Sequence, residues 1–201
     1  MKLTKADITK LNTALNEATI VDVVFDKDKG ISITLSPIVA DENGNVPVDN
    51  LLTIVFKPVN RFAASYRLGR WDDKAAQVVD LKPEELQANV RKFKPFAIYG
   101  QEFLDSKEGY FPQEASKLSF DYRNNNLAPG KHTFEFARDT EHYLTAKMWF
   151  DTLDIINPYG ASVSVDALTA AAQRACASAE TLERFGIKQL RANGPGPHRP
   201  L

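Results

Sequence analysis

Between His142 and Ile156, HYLTAKMWFDTLDII, apolar Leu144, Ala146, Met148 and Phe150 alternate with Tyr143, Thr145, Lys147 and Trp149. A period of two, rich in aromatic residues, marks a strand with one face against a core. It is the longest and most apolar run of its kind here, and it predicts a central strand of an antiparallel sheet. Shorter runs surround it. Val21, Val23 and Phe25 alternate within 20–26, and Ile31, Ile33 and Leu35 within 31–35. The charged turn Asp26-Lys27-Asp28-Lys29-Gly30 joins them, so a hairpin is expected in which Gly30 supplies a positive φ. Leu51–Lys57 and Phe62–Arg70 read as a third and a fourth strand, Ala76–Leu81 as a weaker one. Phe96–Leu104, Leu118–Tyr122 and the stretch around Phe134 and Phe136 complete the set.

Three segments carry helical spacing instead. Thr4 can cap the first, with Asp7 placed to reach back to the cap, and Ile8, Leu11, Leu15 and Ala18 share a face. Pro83 opens the second, Glu84 and Glu85 complement its dipole, Leu86, Val90 and Phe93 form its stripe, and Pro95 ends it. The third and longest has Ser164 as cap, Asp166 in its first turn, and a stripe of Leu168, Ala172, Ala175, Ala179 and Leu182, with Gly186 past its end. Strands in runs with helices inserted predict an α+β fold. We expect an antiparallel sheet or sandwich of about eight or nine strands, with an N-terminal, a central inserted and a long C-terminal helix. Residues 1–190 read as one domain, within which 19–57 and 117–156 rhyme loosely as hairpin-plus-strand units. The Pro/Gly-rich residues 191–201 have no core pattern and read as a disordered tail.

Composition narrows the functional classes. A chain of 201 residues, 43% hydrophobic, can bury roughly 70% of its unfolded surface, so no disulfide or metal staple is needed. A formal charge of −1 supplies no global field for nucleic acid or anionic lipid. The single cysteine, Cys176, excludes an intramolecular disulfide and fits a reducing compartment. The first residues hold no signal-like apolar run, and no stretch approaches the ~20 apolar residues of a membrane helix. A soluble cytoplasmic protein with no membrane partner is expected.

Catalytic motifs are absent. His132 and His142, with Cys176, make no zinc-ligand spacing. The 26–30 turn lacks the third ligand and the closing glutamate of a calcium loop. There is no GxSxG elbow and no Gly-rich phosphate loop, so no motif calls for a cofactor. Cys176 lies beside an alanine-rich stripe, where a small buried thiol is expected. His142 with Asp139, Glu141 or Asp154 is the one acid–base pairing that enzyme chemistry could use, and paired carboxylates such as Asp72-Asp73 need no motif.

Recognition has more to work with. In NRFAASYRLGRW, residues 60–71, Arg61, Arg67 and Arg70 interleave with Phe62, Tyr66 and Trp71. Arginine with aromatics suits a protein hot spot or stacked bases. Strand alternation puts Phe62, Tyr66, Leu68 and Arg70 on one side and Arg61, Arg67 and Trp71 on the other, which weakens the RNA or single-stranded DNA case. On the long strand, Tyr143, Lys147 and Trp149 point away from the Leu144–Phe150 face. They form a recognition surface if solvent meets that side, and core if a second layer covers it. The rhythm of short charged hairpins and aromatic strands is similar to that of bacterial toxin-neutralising immunity-type domains, a likeness that carries no site residue over. The expected function is non-catalytic binding of a protein partner, as an adaptor or immunity-like domain. The alternatives are an enzyme or small-ligand binder using carboxylates and His142, and nucleic-acid binding through 61–71.

Overall fold

The computed structural model describes residues 1–26, 30–70, 72–79, 95–98, 102–107, 118–121, 130–139 and 142–184, and also Glu85, Gln87, Ala88 and Arg91. The elements are α1 (Lys5–Ala14), β1 (Thr19–Phe25), β2 (Ile31–Ser36), β3 (Leu52–Arg67), β4 (Val78–Val79), β5 (Phe96–Ala97), β6 (Leu118–Asp121), β7 (His132–Asp139), β8 (Tyr143–Ile156) and α2 (Val165–Arg184). All named strands belong to one sheet, in the order β5-β1-β2-β3-β8-β7, with β4 and β6 also on β3. Every pairing is antiparallel. The fold is α+β with an open antiparallel sheet, and the described residues form no second sheet that would make a sandwich. The inserted helix at 83–94 lies outside the described residues except for Glu85, Gln87, Ala88 and Arg91, which are helical. The 191–201 tail and Gly186 also lie outside them.

The third and fourth predicted strands are one. β3 runs unbroken through Pro58, pairing with β8 from Thr53 opposite Ile156 to Arg67 opposite Tyr143. A proline in a strand normally marks an end, since it removes a ladder donor. Here the register shifts between Val59 and Arg61, so the strand bulges and continues. β8 shifts phase opposite it: Leu144, Ala146, Met148 and Phe150 are buried, then Leu153 and Ile155. Along its other edge β3 meets β2, then β6, then β4. Its C-terminal end is Arg67, so Leu68 and Arg70 fall beyond the sheet.

The main core lies on one side, although Ala63, Glu135 and Thr145 on the other are buried too. Ile31, Ile33 and Leu35 of β2, Ile54, Phe56 and Phe62 of β3, Phe134 of β7 and the apolar set of β8 cluster with Leu11 and Leu15 of the first helical segment and Leu168 of α2. Phe56 packs its ring 4.8 Å from Phe150 and 5.1 Å from Phe134, with Phe103 5.7 Å from Phe134. Each such fully buried ring contributes about 1.5–3 kcal/mol. Thr4 and Asp7 form the expected capping box, which holds the Asp7 carboxyl below the usual range through the Thr4 hydrogen bonds. Ser164 Oγ accepts from Ala167 N at 3.1 Å, as an N-cap should. Lys10 of α1 and Asp166 of α2 meet at 2.6 Å.

Two expectations fail locally, and one buried contact was not foreseen. Gly30 does not adopt a positive φ; only Gly44 and Gly160 do among the described glycines. Cys176 is exposed, although it follows Ala172 by one helical turn on the same stripe. Among the described residues Ala172 is the last buried side chain of α2, one turn before Cys176. Asn12, on the inner side of α1, went unpredicted. It is 5% exposed, its Oδ1 accepts from Leu104 N at 2.9 Å and Phe103 N at 3.3 Å, and its Nδ2 donates to Leu104 O at 3.0 Å. The amide thus stands in for a neighbouring strand, while the other edge of 103–105 pairs with β7 through Glu135 N to Phe103 O and Asp105 N to Thr133 O. Among the described residues no helix is long and apolar enough to cross a membrane.

Candidate binding face on the outer side of the sheet

α1 and α2 take one face of the sheet, and residues directly opposite one another in a ladder point to the same side. Register therefore sorts the other face without ambiguity. Across β3, β8 and β7 it reads Arg61–Trp149–Thr133, Ala63–Lys147–Glu135, Ser65–Thr145–Ala137 and Arg67–Tyr143–Asp139. The rungs between them, such as Phe62–Met148–Phe134, belong to the core.

The outer rungs interlock. The Arg61 guanidinium carbon sits 4.7 Å above the Trp149 ring centroid, and Lys147 Nζ lies 5.5 Å from it. Lys147 Nζ also donates to Glu135 Oε1, and this ion pair is nearly shut off from water: the two side chains are 19% and 1% exposed. Thr145, on the next rung, is fully buried, and its Oγ1 has no hydrogen-bond partner among the described residues. Arg67 Nη1 donates to Asp73 O at 2.6 Å, which ties the end of β3 to the following turn. By backbone register Asp121 is opposite Arg61 and Asp139 opposite Tyr143.

Of the residues singled out from sequence, Arg61, Arg67, Tyr143, Lys147 and Trp149 come together here. Tyr143 and Trp149 are half-buried, neither core nor fully exposed. Tyr66 is on the opposite face, 5.6 Å ring to ring from His142. Near it Arg138 is lowered from the ordinary guanidinium value by desolvation. Arg70 is exposed past the strand, 3.8 Å from Asp72, and Trp71 lies outside the described residues. His142 does not pair with Asp154, which sits near the far end of β8 with Lys57 at 2.7 Å. Glu141 and the Asp139 side chain lie outside the described residues.

Sequence reasoning missed a different histidine–carboxylate pair. His132 Nδ1 is 2.9 Å from Asp105 Oδ2, and Thr133 N donates to Asp105 Oδ1 at 2.7 Å, with Asp105 at φ 50. No local signal links residues that far apart in the chain. Asp105 lines a groove of about 690 Å³ along α1, shared with Lys5, Asn12, Glu102 and Lys107. The hydroxyls in it, Thr9 and Thr13, donate to the carbonyls of Lys5 and Thr9, so neither is poised as a nucleophile toward His132. No group of three His, Cys, Asp or Glu among the described residues could hold a metal. No family model matches the chain, and no curated protein or solved structure matches it.

Proposed function

We propose that this chain is a non-catalytic protein-binding domain of adaptor or immunity-like type, and that it docks through the outer face of β3, β8 and β7. The observation that carries the reading is the convergence of Arg61 and Lys147 on one tryptophan ring over the buried Glu135. A buried ion pair is commonly no more stabilising than well-packed apolar residues of the same volume, so stability alone does not favour it. Tryptophan, tyrosine and arginine are also the residues that dominate interface energetics. Base stacking is the weaker alternative, because a guanidinium already occupies a face of the Trp149 ring.

The test compares partners recovered by the wild-type chain, by Arg61→Glu and Trp149→Ala variants, and by Lys10→Gln on the helical side. A partner retained by wild type and Lys10→Gln but lost by both face variants, each with native circular dichroism, supports the reading. A partner held equally by all four overturns it. A small-ligand function is the second reading, favoured by the Asp105–His132 pair beside the groove. It calls for a ligand whose effect on melting temperature disappears in Asp105→Asn.

A further inference from the structure

Beyond the β3–β8–β7 face, we infer a second docking surface at the opposite end of the sheet, built to take a basic protein segment with apolar anchors. Nine large hydrophobic side chains are exposed among the described residues, and four of them fall in the single loop between β2 and β3, Ile38 51%, Val46 67%, Val48 108% and Leu51 37%, with Tyr159 85% on the turn after β8. Scattered exposed apolar residues are ordinary, whereas a gathering of them is not. The topology explains the gathering. β2 ends at Ser36, β3 begins at Leu52 and β8 ends at Ile156, with Leu35 opposite Leu52 and Thr53 opposite Ile156. The β2–β3 loop and the turn carrying Tyr159 therefore leave the sheet side by side.

The loop is fixed, so these side chains are presented rather than merely loose. Val39 and Ala40 are buried beneath it. Ala40 N donates to Ala171 O at 3.0 Å, and Arg174 Nε donates to the carbonyls of Ala40 at 3.1 Å and Asp41 at 2.9 Å. Asp41 Oδ1 accepts from Asn43 N at 2.8 Å and Asn45 N at 2.9 Å, while Asn50 bridges Ser36 Oγ and Pro37 O. A surface already ordered loses little entropy on binding.

Charge chooses the occupant. Residues 37–51 carry Asp41, Glu42 and Asp49 and no lysine or arginine, and 157–162 carry no charge. The Asn45 and Asn43 backbone hydrogen bonds hold the Asp41 carboxyl below its usual range, so it stays ionised at neutral pH. Arg174, whose Nε donates to the loop carbonyls, offsets one of these three carboxylates and leaves the rim net acidic. An anionic membrane or a nucleic acid would be repelled by such a rim. A second copy meeting it face to face would bring the same acids together. A segment with lysine or arginine flanking apolar residues satisfies both the rim and the patch.

The test titrates the isotope-labelled chain with a synthetic Lys/Leu amphipathic peptide, its Glu/Leu counterpart, anionic lipid vesicles and single-stranded RNA, reading amide chemical shifts. The expected result is shifts at 38, 46–51 and 157–161 with the Lys/Leu peptide only. They should weaken with salt, and affinity should fall about tenfold in both Val48→Ser/Tyr159→Ser and Glu42→Gln/Asp49→Asn. These side chains lie on the surface, and unchanged shifts elsewhere verify the fold of each variant. Shifts confined to other residues, unaffected affinity in the variants, or preference for the Glu/Leu peptide, vesicles, RNA or self-association each overturn the proposal. Shifts on the β3–β8–β7 face instead would favour that face alone, so the two readings fail separately.

Discussion

The outer face of the sheet has two ends that share a backbone and differ in chemistry. At the β1–β2 end, β2 and the first half of β3 turn hydroxyls outward: Thr34 and Thr53 oxygens lie 3.3 Å apart, and Thr152 Oγ1 donates to Lys57 O at 2.7 Å. Each is part-buried or exposed and finds a neighbour on an adjacent strand. At the β7 end Glu135 and Thr145 are buried, and Lys147 pairs with Glu135 where water scarcely reaches. The first end tolerates its polar groups because water or a neighbour satisfies them at little cost. The second holds a carboxylate and a hydroxyl out of water, where the loss of a partner costs more.

The largest expected effect breaks that pair. Lys147→Met takes a cationic partner from the buried Glu135 and should cost up to about 3–5 kcal/mol in urea unfolding. Adding Glu135→Leu to Lys147→Met should restore most of it; if the double variant is no more stable than the single, the ion pair is not what makes this end fragile. Thr145→Val comes next. It removes a buried hydroxyl that lacks a partner, so stability should hold or rise by about 1 kcal/mol. A clear loss would mean that Oγ1 has a partner the contrast omits.

At the other end, acid provides the probe. Lys57 first, and then the Met1 amino group, hold the Asp154 carboxyl below its ordinary value. A depressed folded value means its contribution is present above the unfolded value and lost as pH falls through the folded one. Stability measured from neutral pH down to about pH 3 should fall less steeply in Asp154→Asn than in wild type. Smallest of all, Thr34→Val on the hydroxyl-lined end should stay within about 0.5 kcal/mol of wild type.

Local pattern revealed much of this. The alternation in 143–150, the hairpin residues of β1 and β2, the Thr4–Asp7 box and the Ser164 cap are written within a few residues of chain, and each is realised. What local pattern hid is what depends on partners far away. Pro58 reads as a strand end unless one knows that β8 lies alongside to carry the ladder past it. Alternation placed Arg61 and Arg67 on one side of their strand, and Tyr143, Lys147 and Trp149 on one side of theirs. Only the β3–β8 register shows that the two sides are the same. Cys176 keeps helical phase with Leu168 and Ala172, but phase does not say where the core beneath a helix stops. Asn12 and the Asp105–His132 pair had no signal at all, since an asparagine on a helix and an aspartate in a loop are usually only solvated.

The amide of Asn12 has one more result. Open sheets are vulnerable where a row of backbone donors and acceptors is left for a foreign chain to zip onto, the first step of fibril growth. Beside β7 that row belongs to Leu104, and both its N–H and its C=O are already spoken for by a helix side chain. Over that short stretch a helix side chain already fills the places an incoming strand would take.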